Sequence, residues 1–72
     1  MARPAKRSLT LRGHRTSVSL EDEFWRAFRE IARTEDRPIN ALAAEIDAAR
    51  GSETGLASAI RLHVLAWYRA KS

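Results

Sequence analysis

His14-Arg-Thr-Ser-Val-Ser-Leu-Glu21 stands out from a chain whose later part has a helical rhythm. Here apolar and polar residues alternate strictly, with Thr16, Val18 and Leu20 set against Arg15, Ser17 and Ser19. Alternation with a period of two is the mark of a strand with one face buried and one wet. A strand also needs a neighbour for its backbone N–H and C=O groups, because unpaired groups are costly when buried and adhesive when exposed. The segment therefore raises two questions: what it pairs with, and what its arginine and two serines face.

Just upstream, Ser8-Leu-Thr-Leu-Arg12 alternates too, but its leucines occupy odd positions whereas the apolar residues after Gly13 are even-numbered. Two readings of this run stay open. It pairs back on the second run as a hairpin through Arg12-Gly13 or Gly13-His14, or it is an extended arm. Residues 1–7 read as a disordered basic arm, so 1–13 forms an arm with an optional short strand at 8–12. Residues 14–72 form the folded domain.

Three helices follow. Glu21, Asp22 and Glu23 put three acids where the dipole of a first helix favours them, and Ser19-x-x-Asp22 fits a capping box. Phe24, Trp25, Phe28, Ile31 and Ala32 form its apolar stripe, with Arg26, Arg29, Glu30 and Arg33 opposite. Glu35-Asp-Arg-Pro38 ends it. A second helix over about 38–50 carries Ile39, Leu42, Ala43, Ile46 and Ala49, with Gly51 as its stop. After Ser52-Glu-Thr-Gly55, a third helix over about 56–70 places Leu56, Ile60, Val64 and Trp67 on one face, widened by Leu62, Leu65 and Tyr68. That much apolar surface needs cover from the other helices, from a second copy, or from another protein.

Composition narrows the class. A chain of 72 residues is marginal as an isolated fold, and with no cysteine it has neither disulfides nor thiolate metal sites. The two histidines are far apart in sequence, so no metal or other cofactor is expected. A partner chain is the remaining stabilising device. No apolar run approaches a membrane span and no signal-peptide core is present, so a cytoplasmic location is expected. The net charge is +4, and its distribution is uneven. Arg3, Lys6, Arg7, Arg12 and Arg15 precede any acid, while from residue 16 onward eight basic residues meet nine acidic ones. A basic N-terminal part on a roughly neutral body points to a polyanion, most simply nucleic acid. Nothing suggests an enzyme: there is no Gly-rich phosphate loop or nucleophile elbow, Glu45 and Asp47 do not share a helix face, and His63 stands alone.

The strand finds a partner most directly in a second copy of itself. An antiparallel two-fold ribbon would turn Thr16, Val18 and Leu20 toward a dimer core with Phe24, Trp25, Phe28, Leu42 and Ile46. Arg15, Ser17 and Ser19 of both chains would form an outer polar face, thin enough to enter a DNA major groove.

Strand, helix, short turn, helix, carried by RTSVSLEDEFW (15–25) and RPINAL (37–42), resembles the ribbon-helix-helix DNA-binding proteins of the Arc and methionine-repressor superfamily. The fuller string KRSLTLRGHRTSVSLE…FW…INALAAEIDAARG…LASAIR is similar to a subgroup of short bacterial members, over about residues 6–65. The resemblance implies a mainly α ribbon-helix-helix homodimer, extended here by a third helix, that reads double-stranded DNA as a repressor-like, nucleoid-associated transcriptional regulator. It implies Arg15, Ser17 and Ser19 as base readers and the N-terminus of the second helix, at Ile39 and Asn40, as a phosphate clamp. Arginine matches guanine O6 and N7, so Arg15 should supply most discrimination. Lys6, Arg7, Arg12 and His14 would contact phosphate. Two departures stand out: Asp36 occupies a turn position where such proteins carry Gly, and Pro38 replaces a Ser or Thr cap. Two other readings remain: an antitoxin-like or adaptor module docking a protein through the third helix, and a trihelical helix-turn-helix DNA binder. The last leaves the alternation of residues 15–20 without a reason.

Overall fold

A computed structural model describes residues 3–72, in the order β1 (Ala5–Leu11), β2 (His14–Leu20), α1 (Asp22–Thr34), α2 (Ile39–Ala49) and α3 (Leu56–Lys71). The architecture is mainly helical, with an antiparallel ribbon first and an added helix last. The ribbon's two strands belong to one chain. β1 pairs with β2 from Ala5 opposite Leu20 to Leu11 opposite His14. The partner expected from a second copy of residues 15–19 is thus supplied in cis, and the run expected as an arm or a strand at 8–12 is a strand that starts at Ala5. Residues 5–7 of the basic arm are therefore ordered, while Met1 and Ala2 lie outside the described residues.

The turn explains this outcome. Arg12 (φ 52°) and Gly13 (φ 82°) both sit in the left-handed region, which makes a two-residue turn whose twist matches that of the strands. Glycine occupies that region freely, whereas arginine does so at a cost of about 1 kcal/mol. Opposed residues in this register differ in parity: Leu9 faces Thr16 and Arg7 faces Val18. The shift of apolar positions from odd to even across Gly13 therefore keeps both apolar sets on one side of the sheet.

A two-stranded hairpin alone is marginal in water. This one is held because Leu9, Val18 and Leu20 are buried against Phe28, Ile31 and Ala32 of α1, Leu42, Ala43 and Ile46 of α2, and Ile60 and Val64 of α3. Each large apolar side chain so buried contributes roughly 1.5–3 kcal/mol. Among the residues expected in a dimer core, Val18, Leu20, Phe28, Leu42 and Ile46 are thus buried within one chain, while Thr16, Phe24 and Trp25 are half-buried. α3 completes the core with the face expected of it and leaves Leu62, Leu65 and Tyr68 exposed.

The helix ends differ from expectation in two places. The N-cap of α1 is Glu21, with no side-chain capping bond, so Ser19 does not close a capping box. The reason is a stronger demand on both residues. Arg61 of α3 donates from Nε to Glu21 Oε1 at 2.9 Å and from a terminal nitrogen to the Ser19 carbonyl at 3.2 Å. α2 ends at Ala49 because Arg50 turns extended (φ −73°, ψ 150°), not through a left-handed Gly51. Asp36, in contrast, does take the left-handed geometry (φ 53°) that the α1–α2 turn requires, and Pro38 is the N-cap of α2.

The Arg61 hydrogen bond, aided by the backbone N–H of Glu21, holds the Glu21 carboxyl below the usual carboxylate range. A carboxylate with a lowered folded pKa contributes stability above its ordinary pKa of about 4.3 and loses it as pH falls through the folded value. Glu21→Gln should therefore melt below the parent at pH 6, and the two melting temperatures should converge below about pH 4. At the turn, Arg12→Asn should keep or raise the melting temperature, since asparagine accepts positive φ. Arg12→Val should cost about 1–2 kcal/mol in urea unfolding, since β-branched residues do not.

Candidate nucleic-acid interface

Opposed residues in an antiparallel pair share a face of the sheet. Lys6 opposes Ser19, Ser8 opposes Ser17, and Thr10 opposes Arg15. All six are exposed and lie on the face away from the core. This polar face holds two cations, four hydroxyls and no acid. It was expected to arise from two copies of Arg15, Ser17 and Ser19. Here one chain makes it, with Lys6, Ser8 and Thr10 taking the place of the second copy. Sequence reasoning missed Ser8 and Thr10. The two-residue spacing at Arg12-Gly13, combined with the parity shift, is the signal that would have found them.

The dimensions suit a duplex groove. Two strands about 4.8 Å apart make a ribbon narrower than the roughly 12 Å major groove, and seven residues extend roughly 23 Å along it. Neither Lys6 nor Arg15 has an acidic partner among the described residues, so both charges are available. Ser17 and Ser19 likewise make no side-chain hydrogen bond among the described residues, which leaves their hydroxyls free to donate or accept.

Arg7 is placed otherwise. It stands on the inward face, with its guanidinium 3.3 Å from Asp22 Oδ1 and 5.5 Å from the centre of the Trp25 ring. Its Nε is buried without a partner among the described residues. This arginine, expected at a phosphate, instead pins the open end of β1 to α1. The cause is register: opposite Val18, an odd position of β1 must point inward.

The hairpin is also held at both edges. α2 lies beside β1 and α3 beside β2. The Thr10 N–H donates to Asn40 Oδ1 at 3.0 Å, and the Ser19 carbonyl accepts from Arg61. These two bonds set the direction of the remaining edge groups. Even residues of β1 and odd residues of β2 point their backbone groups away from the ladder. Asn40 thus has a structural task at the start of α2. The carbonyl of Pro38 accepts from the N–H groups of Ala41 (3.0 Å) and Leu42 (3.1 Å), so the free amides of the first turn are those of Ile39 and Asn40. Arg12 is exposed at the tip of the turn and His14 is exposed beside it. The structure therefore brings Lys6, Arg15, Ser17 and Ser19 onto one face, places Arg12 and His14 at its end and Ile39 and Asn40 at its flank, and separates Arg7 from all of them.

No helix of the described residues is long and apolar enough to cross a membrane, and no group of three or more His, Asp or Glu side chains is gathered there as a metal site. No curated protein and no solved structure matches the chain. A family model does match: the ribbon-helix-helix domain, over residues 4–68. That span takes in the hairpin, all of α1 and α2 and most of α3, and the protein belongs to the ribbon-helix-helix domain family.

Proposed function

We propose that this protein binds double-stranded DNA by laying the outer face of its hairpin in the major groove, as a transcriptional regulator of the repressor type. The observation that carries this reading is the single polar face of Lys6, Ser8, Thr10, Arg15, Ser17 and Ser19, with both cations free of acidic partners. Family membership supports the same class of function. Arg15 is the principal reader, because its fork of donors matches guanine, while Ser17 and Ser19 hydroxyls tune readout weakly. Lys6, Arg12 and His14 add phosphate contacts, and the free amides of Ile39 and Asn40 clamp a phosphate at the flank of the ribbon. Arg7 is left out of the contact set because Asp22 and Trp25 hold it. Such a role implies a cytoplasmic protein held at the nucleoid, acting as a binding module and not as an enzyme.

We include a homodimer in this reading. Two features support it: the outward backbone groups of Arg15 and Ser17 along the edge of β2, and the exposed Leu62 and Leu65 on α3, the helix beside that strand. A second copy would cover both. The exposure of Leu62 (60%) and Leu65 (50%) equally favours a protein partner at α3, the adaptor-like alternative. Sedimentation separates the two: purified protein should run at twice the 8.1 kDa chain mass, and a monomer would leave the α3 face to another protein.

Arg15→Ala should leave helix content and melting temperature unchanged. It should weaken binding to a selected site by roughly 10–100-fold, the equivalent of 1–3 kcal/mol, and relax base preference. Filter binding to a selected site and to random duplex measures both. Unchanged affinity and preference would remove the hairpin as the reading element.

A further inference from the structure

Beyond the outer face lies a second concentration of positive charge. A cleft of about 410 Å³ opens between the hairpin tip and the junction of α2 with α3, lined by Arg12, His14, Arg15, Asp47, Arg50 and Leu56. Three guanidiniums and an imidazole meet there around one carboxylate. That carboxylate is engaged: Arg50 donates from Nε to Asp47 Oδ1 at 2.7 Å. A second Arg50 nitrogen donates to the Thr54 carbonyl at 2.7 Å, which fixes the guanidinium against the linker before α3. Arg12 and Arg15 have no acidic partner among the described residues. The cleft therefore carries net positive charge around a partly preorganised arginine.

We infer that this cleft binds a phosphate group, with Arg50 and Arg12 as its principal ligands and Asp47 as the group that limits its affinity. Arginine presents parallel N–H donors that match phosphate oxygens, and fixing one guanidinium in advance reduces the ordering needed on binding. The cleft borders Arg15 and sits at the end of the hairpin away from Arg7 and Asp22. A ribbon in a groove has a phosphate wall on each side. The clamp at Ile39 and Asn40 lies beside β1, and this cleft lies on the side of β2. The chain would then grip both walls. The source of the phosphate, a DNA backbone or a free phosphate-bearing ligand, is a separate matter; the DNA arm rests on the function proposed above.

Charge changes of opposite sign test the site. Binding to a random-sequence duplex is measured against salt for the parent, Arg12→Asn, Arg50→Gln and Asp47→Asn, with melting curves for each. Arg12→Asn keeps the turn geometry while removing its charge. Arg12→Asn and Arg50→Gln should each weaken binding and lower the slope of log K against log salt by about 0.9, the loss of one phosphate contact on B-DNA. Asp47→Asn should tighten binding, a gain that misfolding cannot produce. In parallel, the free parent protein is titrated with inorganic phosphate, and with chloride at matched ionic strength, while the arginine Nε–H resonances are followed. Saturable shifts at Arg12 and Arg50 with phosphate alone, in a protein whose variants bind DNA like the parent, would assign the cleft to a free ligand. Parent-like affinity and slope in all three variants, with no phosphate-specific shift, would overturn the site and leave the outer-face reading intact. If the parent fails to bind DNA at all, that reading falls and the phosphate titration still decides the cleft.

Discussion

The phase of two short strands governs this molecule. A two-residue turn at Arg12-Gly13 forces odd residues of β1 to face even residues of β2. Given that register, Leu9, Val18 and Leu20 point to the helices and six polar side chains point to solvent. A one-residue slip would turn each apolar residue of one strand outward and each polar one inward. The burial of three apolar side chains thus defends the register, and the register in turn defines the face proposed to meet DNA. Arg12 bears a left-handed backbone to keep the turn short.

Register also sorts the arginines of the N-terminal half into different tasks. Arg7 and Arg15 sit in similar alternating sequences, yet one is inward and paired with Asp22, and the other outward and unpaired. An exposed ion pair is worth less than about 1 kcal/mol, so Arg7 matters mainly through its stacking on Trp25 and its hold on the strand end. Arg61 does the matching work at Ser19 and Glu21, and Asn40 at Thr10. The hairpin is therefore tied along both edges and at its open end, while its tip and outer face stay free. Rigid presentation of a few donors by a supported element is what groove readout demands, since base-edge contacts are directional.

α3 resolves the size problem posed by a short chain without cysteine. By burying Ile60 and Val64 against the hairpin and the first two helices, it closes a core within a single chain. Its outer side, with Leu62, Leu65 and Tyr68, remains the largest apolar feature in contact with water. The helix therefore serves the fold through one face and leaves the other for an assembly partner.

Much of this was determined by sequence alone. Alternation separated Val18 and Leu20 from Arg15, Ser17 and Ser19, helical spacing located α1, α2 and α3 to within a residue or two at each end, and Asp36 marked the left-handed turn. These are local properties, set by backbone period and by the conformations that single residues tolerate. What strand β2 pairs with was decided only in the tertiary structure, because an unpaired edge states a need and not the chain that meets it. The same holds for Ser8 and Thr10 joining the outer face, for Arg7 leaving it, and for Arg61 displacing Ser19 as the organiser of the α1 start. Arg50 and Arg12 approach one cleft from opposite ends of the fold. Each of these depends on a register or a contact between segments distant in sequence, and such contacts are selected by the packing of the whole core.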